Sequence, residues 1–412
     1  MLKLTKAVLV VAFLFLFVSM TAAEEPVSVG KTEWDHGILM FKSDDGDFLT
    51  RFDMRGYING AYFFEDDKYL ASGTNIRKAR LAIKTQLHKY WRAEWDVDVA
   101  EGVVEIKDFF VAFHGFENSH IKFGNFKMPL GLEELTSSRY QTFVERAYPM
   151  IAFETDRHIG LEYSRWGNSW NVRAALFGQP WDAEKEGMDD EGTVMEETGN
   201  GAGLRLVYAP IHNSETILHT GVAAVFQKPD YSDYRVRFRS EPETKIADAE
   251  LLSTGRIKHV EDYMKTGLEL ALVHKNFSLQ GEYVQADVFR TEGHENASFN
   301  GAYGFLSWFL TGESRPWDST QGEFGHVIPK NQKTGAWELA LRYSTLNLND
   351  DKADVLGGKA NNITLGLNWH ANSNMIFLLN YTMVDNDKNA TDYGTPPDYD
   401  FSVLHFMTVF FF

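Results

Sequence analysis

WRAEWDVDVAEG, residues 91–102, decides how the rest of the chain is read. Trp91, Ala93, Trp95, Val97 and Val99 alternate with Arg92, Glu94, Asp96 and Asp98. In an extended chain successive side chains point to opposite faces, so one face is wholly apolar and the other wholly charged. A soluble sheet turns the apolar face toward its own core. A transmembrane barrel turns the same face outward, to lipid, and keeps the charges inside. The two readings share the strand and invert its surroundings.

The rest of the chain favours the second. ARLAIKTQL, GLRLVYA, AWELALRYSTLNL, NITLGLNWH and NMIFLLNYTMV repeat the alternation. Strands are expected near 48–64, 76–88, 91–101, 104–114, 119–127, 157–166, 169–178, 201–209, 215–227, 265–274, 277–290, 297–310, 335–348, 360–371, 374–385 and 400–412. That is sixteen, an even number, as bacterial outer-membrane barrels require. The connections alternate as well. Tight turns at 89–90, 115–118, 167–168, 210–214, 275–276 and 372–373 separate longer ones at 65–75, 128–156, 179–200, 228–264 and 386–399. Short turns at one end and long loops at the other are the membrane-barrel arrangement. Two connections depart from it: 102–103 is short where a loop is due, and 311–334 is long where a turn is due.

Both ends of the chain agree. Lys3 and Lys6, the run VLVVAFLFLFV and Thr21-Ala22-Ala23 follow the charged, apolar, small-residue order of a secretory signal peptide, with cleavage expected after Ala23. The apolar run is short for a spanning helix of about 20 residues. At the other end FSVLHFMTVFFF places five Phe in twelve residues, as an aromatic closing strand would. The expected organisation is a signal peptide over 1–23, a short segment over 24–47 with no core of its own, and an antiparallel all-β barrel over 48–412.

Composition narrows the function. The net charge of −18 excludes a nucleic-acid partner, whose phosphates need a basic surface. There is no cysteine, hence no disulfide framework or thiolate metal site. No H-E-x-x-H, G-x-S-x-G or P-loop occurs, so no enzyme, cofactor or metal is expected. Loop 179–200 carries eight acids against Lys185 and reads as a solvated outer face. A divalent-cation bridge from it to lipopolysaccharide lacks any ligand spacing that would specify a site.

The runs RKARLAIKTQLHKYWRAEWDVDV, IKFGNFKMPLGLEELTSSRYQTFVERAYP, DRHIGLEYS, GAWELALRYSTLNLND and GGKANNITLGLNWHAN occur in order, and together they resemble the phosphate-selective porins (porins O and P). The resemblance covers about 48–412. It implies a sixteen-stranded outer-membrane porin with inward-folded loops, assembled as a homotrimer in contact with outer-membrane lipids and lipopolysaccharide, and passing small anions such as phosphate. It also implies roles for residues. In DYRVRFRS, residues 233–240, Arg235, Arg237 and Arg239 fall on alternate positions and match the family's arginine ladder. Arg77 and Lys78 match two constriction positions, and Asp108 matches a pore aspartate that helps hold phosphate. Arg92 stands in for a pore lysine, and Lys42, Lys330 and Lys333 keep positive character. Asp44, Asp53 and Glu134, however, are acidic where the family has lysine.

Planar guanidinium forks suit phosphate oxygens, and several moderate sites conduct better than one deep trap. Within 128–156, TSSRYQTFVERAYP can form a helical turn after Thr136 or Ser137, and an inward fold would bring Arg139 and Arg146 to the constriction. The long connection 311–334 can likewise fold into the barrel from below. Two other readings stay open: a general diffusion porin with little or cation-leaning selectivity, and a structural or adhesive barrel working through its outer loops.

Overall fold

The computed structural model describes residues 30–412, except 36, 65–68, 182–186, 189–193, 196–198, 230–234, 248 and 393. The expected signal peptide, most of loop 179–200, and Asp233 and Tyr234 of the arginine stretch lie outside the described residues.

Sixteen strands form one closed antiparallel barrel. They are β1 (Leu49–Phe64), β2 (Gly73–Leu87), β3 (Trp91–Asp98), β4 (Glu105–Phe113), β5 (Ser119–Lys127), β6 (Arg157–Trp166), β7 (Trp170–Phe177) and β8 (Gly201–His212), then β9 (Thr216–Gln227), β10 (Val260–His274), β11 (Phe277–Arg290), β12 (Ala297–Phe309), β13 (Ala336–Asp350), β14 (Val355–Asn372), β15 (Met375–Asn386) and β16 (Phe401–Phe411). Each pairs with its neighbours in sequence, and β16 returns to β1 with Phe410 opposite Gly56 and Ser402 opposite Phe64. The terminal Phe412 completes the closure by exchanging backbone hydrogen bonds with Met54 at 2.7 and 2.9 Å.

The packing is inverted relative to a soluble sheet. Leu204, Leu206 and Tyr208 of β8 are 41–56% exposed, while Arg205 between them is 0% exposed. In β3 Trp91 is exposed and Asp96 and Asp98 are buried. The charged face therefore points into the barrel, and closure leaves no strand edge to be satisfied by lipid.

Several strands run further than the alternation predicts. β10 begins at Val260, β8 extends to His212, and β13 and β14 meet through a turn at 351–354. Among the added residues, Glu261 and Lys359 are polar and exposed. Backbone pairing continues there after the apolar pattern has ended, so the hydropathy signal stops before the strand does. Ahead of the barrel, a hairpin of Thr32–Asp35 and Ile38–Lys42 pairs with Leu49–Phe52 and extends the sheet past the end of β16.

At the end bearing both termini, every connection is short except 310–335. At the other end 128–156 and 228–259 are long. All three fold inward. Loop 128–156 holds α1 (Leu132–Leu135) and α2 (Tyr148–Ala152), and Ser137 caps a 3-10 turn over Ser138–Tyr140 by accepting from the Arg139 N–H. Phe143, Tyr148 and Phe153 of this loop pack with Val236 and Phe238 of 228–259 and with Phe299 and Phe305 of the wall.

Candidate functional site: a cationic channel beside a filled half-barrel

The inward segments fill one side of the lumen. From the terminal-bearing end, 310–335 forms a small hairpin of Trp317–Asp318 and Glu323–Phe324. Arg205 reaches it from β8, donating to the carbonyls of Gln321 and Gly322 while gripping Glu269 of β10 through two nitrogens at 2.7 Å. Gly322 sits at φ +65°, and a Cβ there would press on Asn171 and Arg205, so glycine allows the close approach. Trp317 donates to His219, which also contacts Glu269. Arg205→Ala strips a buried carboxylate of its partner, a change that typically costs about 3–5 kcal/mol. A lower thermal denaturation midpoint in detergent, with the barrel band intact on unheated gels, is the expected result.

Loop 128–156 is fastened from the same wall. Glu282 of β11 accepts from the backbone N–H groups of Leu132 and Glu133 at 2.6 and 2.7 Å and from the Tyr303 hydroxyl. Asn380 accepts from Val144 N–H, and Asn368 donates to Thr142 C=O. Arg342 of β13 donates to Glu145 C=O and to the Glu243 carboxylate, tying 128–156 and 228–259 together.

What remains open is a cavity of about 810 Å³ against β1–β6, Arg173 of β7 and the inner side of the loop. Fifteen Lys and Arg line it against nine Asp and Glu, an excess of six positive charges in a chain of net charge −18. Two strand irregularities enrich its wall. Tyr57 and Ile58 of β1 pair with Lys78 and Ile76, so Arg77 is an extra residue and both Arg77 and Lys78 reach the cavity. Between β3 and β4 the register slips at Lys107 and Asp108, with the same effect. A regular strand would have sent one of each pair to lipid.

Most lining cations are matched. Arg77 pairs with Glu145 at 2.7 Å, Arg80 with Asp98 at 2.9 Å, Arg157 with Asp108 at 2.8 Å and Lys122 with Glu162 at 2.9 Å. Among the described lining cations, Lys78 and Arg92 have no ion pair. Lys78 instead faces the Tyr57 ring at 5.1 Å. On the loop, burial opposes ionisation of Glu145, yet the Arg77 guanidinium holds its carboxyl down at about 2. The carboxylates of Glu94, Asp96 and Asp108 converge within 4.8 Å, each facing Lys84, Arg55 or Arg157, which disfavours a cation there.

Of the residues singled out in the sequence, Arg77, Lys78, Arg92, Asp108, Arg139 and Arg146 line this cavity. Arg139 is bound to Asp53 at 2.8 Å, and Arg146 to Glu134 at 2.8 Å. Asp53 and Glu134 thus hold the arginines of the inward loop. Asp44 is exposed beyond the barrel's start.

Arg235, Arg237 and Arg239 lie elsewhere. Their alternation is real, since Val236 and Phe238 are buried and Arg237 and Arg239 exposed. Phe238 packs on Phe153 and Phe299, so Arg237 and Arg239 face away from that apolar contact, and the three arginines are not among the residues that line the cavity. Arg237 and Arg239 share Glu250. Lys245 of the same segment reaches the cavity in their place. Lys42 is exposed on the terminal hairpin, and Lys330 and Lys333 are exposed at the base of 310–335, all outside the cavity.

Sequence reading passed over Arg51, Arg55, Arg80, Lys84, Lys107, Lys122, Lys127, Arg157, Arg173 and Lys245. For most of these the signal was available: a charge on the polar face of a barrel strand points inward. Lys245 sits on a loop and had no such signal.

Comparison with known proteins points the same way. The family model described as phosphate-selective porin O and P matches residues 49–412. Porin O of Pseudomonas aeruginosa is 25% identical over 362 residues, covering 81% of each chain. An uncharacterised protein of Caulobacter vibrioides is 29% identical over 77% of this chain, which spans 64% of that protein's length. Among solved structures, the anion-selective porin of Comamonas acidovorans superposes with a TM-score of 0.55 at 13% identity, over 89% of this chain and all of that one. OmpT of Vibrio cholerae gives 0.54 at 11% identity, over 90% and 99%.

Proposed function

Because the chain belongs to the phosphate-selective porin O and P family and is an outer-membrane porin, we propose that it carries small anions, phosphate or similar oxyanions among them, by passive diffusion through its cationic cavity. The carrying observation is a lumen lined by fifteen Lys and Arg in an acidic protein, which leaves Lys78 and Arg92 without an ion pair after the lining acids and those just behind the wall, Asp53, Asp96, Glu162 and Glu241, are matched. Within that field the unpaired Lys78, beside Arg77, Arg80 and Arg146, is the strongest candidate for direct anion contact. Guanidinium and ammonium donors replace the water an oxyanion sheds on entering. Asp108 can accept a hydrogen bond from a protonated oxyanion while Arg157 binds its other oxygens. Arg237 and Arg239, exposed though they share Glu250, and the half-buried Arg235 beside them would act as a collecting row, raising local anion concentration before entry.

A homotrimer in lipopolysaccharide-bearing membrane accords with this reading. β3–β7 are 8–10 residues long and β10–β14 are 13–18, so one wall is short enough to be buried against other copies. A second reading, a general pore of little selectivity, is favoured by the near-complete pairing of the other lining cations. The reversal potential of the purified protein in a planar bilayer under a KCl gradient separates the two. An anion-side potential, with chloride current reduced by added phosphate, supports the oxyanion channel. Arg237→Ala should alter the phosphate block only slightly. A neutral or cation-side potential supports the general pore, and absence of stepwise conductance supports an adhesive barrel.

A further inference from the structure

Among the described carboxylates that line the cavity, Glu154 is bound differently. Every other one has a Lys or Arg nitrogen at 3.3 Å or closer. For Glu154 the nearest is Arg146 at 3.8 Å, and the side chain is 37% exposed to the cavity. Arg146 is already committed to the Glu134 carboxylate at 2.8 Å and to the carbonyls of Glu133 and Glu134. The Glu154 backbone is nevertheless fixed, because its carbonyl accepts from Lys265 Nζ of β10 at 3.2 Å. A carboxyl group is therefore held in place at the cavity wall with its own oxygens free.

Its charged surroundings come from three elements. Glu134, Arg146 and Asp156 face it from its own loop, Lys127 from β5 and Lys265 from β10. We propose that Glu154 is a specificity-determining residue of the channel, donating a hydrogen bond to a passing oxyanion while neutral and opposing anions once ionised. Enclosure by the cavity wall, then the charges of Glu134 and Asp156, push its carboxyl up to about 8. Below that value the group carries a proton and donates; above it a negative charge appears beside Arg146.

The inference rests on the anion-channel reading, and one experiment tells the two apart. The reversal potential under a KCl gradient is measured from pH 6 to 10, chloride having no titration of its own in that range. In the parent protein the anion-to-cation permeability ratio should fall by about threefold or more between pH 7 and 9 as one lining charge is added. Glu154→Gln keeps an amide donor and cannot ionise, so its ratio should stay flat at the acid-side level. A ratio that does not change with pH in the parent overturns the inference. So does a step that survives in Glu154→Gln, which would place the titrating group elsewhere. Cation selectivity at every pH overturns the anion-channel reading itself.

Discussion

Arg342→Met should widen the pore and leave the barrel standing. Arg342 is 2% exposed, and its guanidinium holds the Glu145 carbonyl at 2.9 Å and the Glu243 carboxylate at 2.7 Å, with Glu133 at 3.7 Å. It also lies 4.4 Å from the Phe143 ring, a contact that the methionine stem preserves in part. Glu243 in turn accepts from Tyr148 N–H, and Glu133 from Ala147 N–H. Without the cation, two carboxylates stay buried and unpaired, which typically costs about 3–5 kcal/mol. That energy exceeds what an inward loop can absorb in place, whereas the sixteen-strand ladder does not depend on it. Single-channel conductance should rise several-fold with noisier open levels, and the variant should still migrate as a folded barrel without heating. Unchanged conductance would mean that the apolar packing of Phe143, Tyr148 and Phe153 suffices to hold the loop.

Lys78→Glu should turn the channel away from anions. The substitution changes the local charge by two units beside Arg77, Arg80 and Arg146. At an effective dielectric constant of about 20, unit charges about 7 Å apart interact by about 2.4 kcal/mol. Two units are then worth about 5 kcal/mol, and anion occupancy falls by about three orders of magnitude. The reversal potential should move toward the cation side, and phosphate should no longer block chloride current. Lys78→Arg should keep both properties, separating charge from shape. If Lys78→Glu behaves like the parent while Arg237→Ala abolishes the phosphate block, selectivity lies in the outer row and not in the cavity.

The resemblance pointed to Arg235, Arg237 and Arg239 together with Lys78 and Arg92; only the last two of these, with Glu154, which the sequence reading passed over, line the cavity. The difference has a physical source. Local spacing correctly put the three arginines on one side of an extended segment, but a loop's side becomes a pore wall only through what its other side packs against. Val236 and Phe238 pack on an inward loop more than eighty residues earlier in the chain, which no period-two pattern encodes. In the same way, neighbours cannot share a face in a regular strand, so only the bulge opposite Tyr57 and Ile58 allows Arg77 and Lys78 to line one cavity.

The sequence by itself determined the barrel. Sixteen alternating segments, their turns and the aromatic last strand needed no tertiary information, because strand pairing and the lipid boundary act on each segment separately. It also showed that 128–156 and 311–334 are long enough to fold into the lumen. Only the tertiary structure decided which half of the lumen they fill. It also decided which acids neutralise which arginines, and which lining charges are left over, since Arg205, Glu282 and Arg342 meet their loop partners across 100 residues or more of chain, and the charge an anion meets is the sum left after that pairing.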